Sequence, residues 1–296
     1  MPTANTPTPS NLASAFVARI DELAAPDYDA AALAKLRAEI SAHLVPIVAG
    51  WRAETKPHVV GASKIGGLPD LPDGFVWPKD RGGKASLSFL LQIDLAELAA
   101  LHTESPLPSA GMLYLFALCD VDSAQAYIMD ASYTAVRFSA EPGPLTPRPI
   151  PADVPVRGHV DQVPLQFGAS LLFERRIEPD PEDLADLDPD DEEYALAQRV
   201  GYGSKRFDAG VEKRIRAQLQ ALGSHWPELT LIKQPWFFQD EAAMQYDPEK
   251  QIELLSFFGQ TVSLQYRGCV FHLVIGQDQL ARAELDTAQV IFENGT

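Results

Sequence analysis

Cysteine is nearly absent: Cys119 and Cys269 are the two in 296 residues. Two thiols build neither a disulfide framework nor a zinc pattern. Each lies in an apolar run, LFALCD and GCVFHL, where a free cysteine packs as a small hydrophobe, so a reducing compartment is expected. The histidines stand at 43, 58, 102, 159, 225 and 272, and no two share the i, i+4 spacing of a helical metal pair. There is no G-x-S-x-G nucleophile elbow. GYGSK at 201–205 lacks the spacing of a phosphate-binding loop and reads as a turn. No apolar run approaches the roughly 18 residues that span a bilayer. The opening MPTANTPTPSN has no basic residue followed by an apolar stretch, which argues against a secretory signal. Basic residues are also scarce, 24 Lys and Arg against 41 Asp and Glu, for a net charge of -17. Such a field repels nucleic acid and anionic lipid and favours a basic partner. The expectation is a cytoplasmic protein with no catalytic constellation, no metal and no cofactor.

Much of the acidity is local. Ten of the sixteen residues at 178–193 are Asp or Glu with no Lys or Arg, so removing that block takes the net charge from -17 to -7. Asp186, Asp188 and Asp190 alternate as in a calcium loop, but Pro189 interrupts them and Asp191 stands where a glycine is required. The block reads as a solvated insertion.

Apolar residues recur at helical spacing twice near the start, at Leu12, Phe16, Ile20 and Leu23, then after Asp29 at Leu33, Leu36, Ile40, Leu44 and Val48. A helical hairpin is predicted over 11–58, behind a disordered Thr/Pro tail at 1–10. The period then changes. LSFLLQI (87–93), GMLYLFAL (111–118), AQAYIMD (124–130) and TAVRF (134–138) read as strands. So do PLQFGASLLF (164–173), IELLSFF (252–258), TVSLQY (261–266), CVFHLVI (269–275) and AQVIF (288–292). His272 alternates with Phe271 and Leu273, which predicts a solvent-facing side chain. A helix is expected around Val211, Ile215, Leu219 and Leu222. The seven prolines at 141–164 make that stretch an extended surface connection.

The two strand-rich regions share an order: a proline-bearing loop, an apolar strand, and a glycine that opens the next strand. The prediction is an α+β fold with largely antiparallel sheets from two pseudo-repeated halves and an N-terminal helical hairpin. The main domain would span 59–296, with halves at about 59–140 and 164–296 and the acidic insertion at 178–193.

Residues 61–78, GASKIGGLPDLPDGFVWP, combine glycines that reach positive φ with prolines that fix φ and supply no N–H. The loop should be stiff, with Leu68, Leu71, Phe75 and Trp77 as apolar anchors. It either caps a sheet and buries Trp77, or walls a groove with Trp77 and Lys64 facing a ligand.

SKIGGLPDLPDGFVWP at 63–78, SFLLQIDLAEL at 88–98 and GMLYLF at 111–116 resemble the YwqG-like family of bacterial proteins. In the second half QPWFFQDE (234–241) resembles that family's G-Y-P-x-x-x-Q-x-D segment, and DQLARAELDTAQVIFE (278–293) its closing stretch. Ser256, in LLSF, stands where the family pattern has glutamine, and QYRG lacks the aspartate of its G-D-x-G. The resemblance supports a fold and carries over no activity.

Two functional readings remain. One is a non-catalytic protein-binding module, an inhibitor or immunity-type protein that masks a basic effector. The other is a small-molecule binder or enzyme with its site between the two halves. The contact candidates are Lys64, Trp77, Gln92, Asp94, Trp236, Phe238 and Gln239. For Gln92 and Asp94 the favoured reading is that they satisfy backbone groups at a strand end.

Overall fold

Strand β5 (Met112–Ala117) is the run MLYLFA, and all of it is buried. Its alternate side chains face opposite sides of the sheet, so a continuous apolar run means that both faces are covered. Leu113 and Leu115 enter the central core, while Met112, Tyr114 and Phe116 enter a second apolar cluster.

The computed structural model describes residues 29–31, 34, 38, 44–52, 59–80, 82–101, 105–117, 134–154, 168–179, 229–231, 244–258 and 269–294. The chain divides into two compact units, one of 1–47 with 175–227 and one of 48–174 with 228–296. In the first, Ala30, Ala31, Ala34 and Ala38 have helical backbone and are exposed. Asp29 Oδ1 accepts the Ala31 N–H at 2.9 Å, as an N-cap does.

A ten-stranded sheet dominates the rest. Its other strands are β1 (Leu44–Arg52), β2 (Lys64–Ile65), β4 (Ser88–Asp94), β6 (Thr134–Ser139), β8 (Ala169–Pro179), β9 (Leu229–Leu231), β10 (Gln251–Phe258), β11 (Cys269–Gly276) and β12 (Gln289–Asn294). Their order is β12-β11-β10-β9-β1-β8-β2-β4-β5-β6. The short strands β3 (Asp70–Pro72) and β7 (Leu145–Pro147) pair separately. Helix α1 (Leu95–Ala99) follows β4; α2 (Gln277–Ala281) and a 3-10 turn (Leu285–Thr287) link β11 to β12. The edge strands β6 and β12 approach each other. There Phe138 N–H donates to Asp286 Oδ1 of the 3-10 turn at 2.5 Å. The sheet therefore curls almost into a barrel, and one core draws on both halves. Leu91, Leu113 and Leu115 share it with Leu255, Leu273 and Phe271. Phe271 stacks on Phe257 at 4.8 Å and meets Phe292 edge-on at 5.2 Å.

This corrects the predicted α+β class with an N-terminal hairpin. The described residues are mostly strand; beside the helical residues at 30–38, α1 and α2 are short α-helices. Instead of separate sheets, the two halves join through β1 and β8 into one. Residues Leu44 and Val48, assigned to a helical stripe, lie in β1. Residues i and i+4 share a face in a strand as well as in a helix, so the stripe was ambiguous at its end. Pro46 and the β-branched Val45, Ile47 and Val48 decide for strand. His272 is buried, not solvent-facing. The segments AQAYIMD and TVSLQY, the first predicted helix, the helix around Val211, and Trp236, Phe238 and Gln239 lie outside the described residues.

The pairing register is the same on the two sides. Leu91 lies between Ile65 and Leu115, and Leu255 between Leu231 and Leu273. A register shift precedes each, between Phe89 and Leu91 and between Glu253 and Leu255. One step further on, Gln92 is flanked by Lys64 and Tyr114, and Ser256 by Thr230 and His272.

Candidate functional site

Loop 59–78 crosses the outer face of β4 and β5. It begins with a turn in which Ala62 N–H donates to Val59 O at 3.0 Å. Gly66 and Gly67 follow β2 with φ of 65° and 70°, a backbone that only glycine adopts without strain. That double left-handed step turns the chain away from the sheet, and Pro69 leads it into β3. Leu71 is buried, Phe75 packs on Tyr114 and Phe116 at 5.5 and 6.0 Å, and Trp77 meets Phe116 edge-on at 5.3 Å. Trp77 is half-buried, and its Nε1–H donates to Leu87 O at 2.8 Å. The aromatic anchors thus point inward. Val59, Val60, Leu68 and Val76 point outward, Val76 with 81% exposure.

Beneath the loop lies a buried polar network centred on Asp70, whose side chain is 0% exposed. Its Oδ2 accepts from Gly61 N–H, Lys64 Nζ and Gln92 Nε2, each at 3.0 Å. Its N–H donates to Gln92 Oε1 at 2.8 Å, and its carbonyl accepts from the Tyr114 hydroxyl at 2.9 Å. Gln92 Nε2 also donates to Ala62 O at 2.9 Å, and Lys64 Nζ donates to Leu68 O. Every side chain in this set bridges the sheet to the loop. Burial draws the Lys64 ammonium below the ordinary lysine value, and Asp70's hydrogen bond and charge offset only part of that. Burial opposes ionisation of Asp70, yet the donors of Gly61, Lys64 and Gln92 together hold its carboxyl below the ordinary value. Burial, then the Asp70 charge, push the Tyr114 phenol well above its usual value, so it remains a donor.

Of the predicted contact residues, the structure brings Lys64 and Gln92 together, bonded to each other's partner and withdrawn from solvent. Asp94 sits at the end of β4, where its Oδ1 accepts from Ala96 N–H at 3.0 Å and caps α1. Asp94 and Glu97 border an open groove of about 380 Å³, completed by residues 59–62, Gly111, Met112, Pro142 and Leu145. Lys64, Gln92 and Trp77 do not line it, so this groove does not join them to Asp94. Sequence reasoning did not single out Asp70, Tyr114 or Glu97. Asp70 lies between a proline and a leucine and is one of two aspartates in the loop, so the sequence alone does not set it apart from Asp73.

The corresponding positions of the second half hold a different polar set. Thr230 Oγ1 and Ser256 Oγ are 2.7 Å apart, and His272 Nδ1 is 2.5 Å from Glu253 Oε1 with both side chains buried. Among the described residues no group of three or more His, Cys, Asp or Glu could hold a metal. None of their helices is long and apolar enough to cross a membrane.

With this geometry in place, comparison with known families identifies a domain of unknown function, DUF1963, at residues 63–208. No curated protein matches the chain. The match opens at Ser63, beside Lys64, and takes in Asp70, Gln92 and Tyr114; it ends before β9.

Proposed function

We propose that the protein is a non-catalytic binding module that presents the outer side of loop 59–78 to a basic protein, as an inhibitor or immunity-type protein masks an effector. One observation carries this reading. The polar side chains of the loop and the strands beneath it are spent on holding the loop, which leaves a fixed backbone with aliphatic side chains displayed to solvent. A surface already ordered before contact loses little conformational entropy on binding. Isolated exposed aliphatics are ordinary, but four on one internally braced loop are contact candidates held in place before binding. The charge of -17 favours a cationic partner and predicts fast, salt-sensitive association. The small-molecule reading is weaker, because Lys64 and Gln92 are occupied by Asp70. We also read the DUF1963 match, together with the 234–241 and 278–293 motifs, as a YwqG-like domain continuing past residue 208.

Capture from the native host at low and high salt tests the module. Wild-type protein should retain a basic partner that salt weakens, and Leu68→Asp with Val76→Asp should lose it. Both side chains are exposed, so the double variant should melt as the wild type does. Recovery of no partner, or capture indifferent to these substitutions, overturns the reading.

A further inference from the structure

The groove beside the loop has a mixed lining that suits one chemical class of occupant. Val59, Val60, Met112 and Leu145 supply aliphatic surface, Asp94 and Glu97 supply carboxylates, and no Lys or Arg among the described residues lines it. The ion pairs found among the described residues use neither of these carboxylates. One oxygen of Asp94 is engaged by Ala96 N–H, and a carboxylate has further lone pairs to offer. A purely apolar occupant would strip water from both carboxylates without replacing it, and an anionic one would be repelled. A small hydrated cation would leave the aliphatic surface unused. The groove is also pre-formed, because Asp70 accepts from Gly61 N–H and Gln92 donates to Ala62 O within its lining turn.

We propose that this groove receives a lysine or arginine side chain of the protein partner. The methylene stem lies along Val59, Val60 and Leu145, and the cationic head meets Asp94 and Glu97. Long cationic side chains bind in this way, burying the stem while the head stays at a charged, wetted edge. The inference rests on the binding-module reading and gives it a specific recognition element.

Methyl- and amide-detected NMR titration with N-acetyl-arginine methylamide and N-acetyl-lysine methylamide tests it, with N-acetyl-norleucine methylamide as the uncharged control. The cationic probes should shift Val59, Val60, Met112 and Leu145, and the control should shift them far less. Glu97→Gln and Asp94→Asn should each weaken the cationic probes about threefold, as expected for an exposed ion pair. Asparagine caps helices as well as aspartate, so Asp94→Asn leaves α1 capped. Absence of shifts with either cationic probe overturns the proposal. So does equal response to norleucine, or affinity unchanged in both variants. If capture still depends on Leu68 and Val76 while the probes ignore the groove, this inference fails and the module reading stands. If the probes bind but no loop-dependent partner is captured, the protein-borne side chain is refuted along with the module.

Discussion

Replacing Asp70 by asparagine tests the physical basis of the loop most directly. The substitution keeps size and one acceptor but removes the negative charge 3.0 Å from Lys64 Nζ, at a site where the lysine side chain is 4% exposed. Breaking a buried pair by removing one partner costs about 3–5 kcal/mol, because the remaining charge is left desolvated. For a domain of this size that corresponds to a fall on the order of 10 °C in melting temperature. The pH dependence gives a sharper signature. Lys64 in the folded wild type titrates below its ordinary value of 10.5, so the unfolded chain binds more protons in the window between, and stability rises with pH across it. Without Asp70 that folded value drops further, and the variant starts to recover at a lower pH than the wild type. At the acid end both proteins share the loss from other carboxylates, and the wild type in addition loses the Asp70 contribution as pH falls below 3.8 through the depressed Asp70 value. The gap between the two proteins should therefore be widest near neutrality and narrow on both sides. Lys64→Met added to Asp70→Asn should restore part of the loss, since no buried charge then remains at the pair. Guanidinium unfolding followed by near-UV circular dichroism over a pH series measures all three proteins. A neutral-pH loss under about 1 kcal/mol, a gap constant with pH, or a double variant no better than the single one would refute the argument.

Two further outcomes follow from the backbone. Gly111 has φ of 112°, and a Cβ there would lie 2.7 Å from the Phe138 ring and 2.8 Å from Ser139 O. Gly111→Ala should thus cost about 2–4 kcal/mol, and a urea midpoint within experimental error of wild type would contradict it. Asp286→Ala removes the acceptor for Phe138 N–H at the near-closed seam, so that amide should exchange with solvent several-fold faster while global stability falls by about 1 kcal/mol. Unchanged exchange would mean that the contact does not hold the seam.

The strands that the sequence shows most plainly are those buried on both faces or on one. SFLLQID, MLYLFA, QIELLSFF and CVFHLVIG carry enough apolar and β-branched residues for the pattern to survive any tertiary setting. Strand β1 was illegible because its spacing also fits a helix. Strands β2, β3, β7 and β9, each of two or three residues, are too short for a period to show. They form because longer neighbours offer backbone partners, which is tertiary information. Closure is equally hidden: Asp286 meets Phe138 across 148 positions, a contact no local pattern encodes. At the site, Lys64 and Gln92 could be picked out as unusual polar residues in apolar segments. Their shared partner could not, because Asp70 reads alone as an ordinary turn aspartate.

The matching register of the two halves sets different polar residues at equivalent sheet positions. Position for position, Lys64, Gln92 and Tyr114 correspond to Thr230, Ser256 and His272. The first set reaches off the sheet: Lys64, Gln92 and Tyr114 all bond Asp70 of the overlying segment, so each bond made is a constraint on the loop. In the second, Thr230 bonds Ser256 and Glu253 meets His272, contacts that tie β9 to β10 and β10 to β11. Among the described residues these contacts brace adjacent strands. The described contacts of the two sets therefore run in different directions, off the sheet in the first and along it in the second. The difference follows from side-chain reach: a lysine, a glutamine and a tyrosine extend to a second layer, whereas threonine and serine hydroxyls stop at the neighbouring strand.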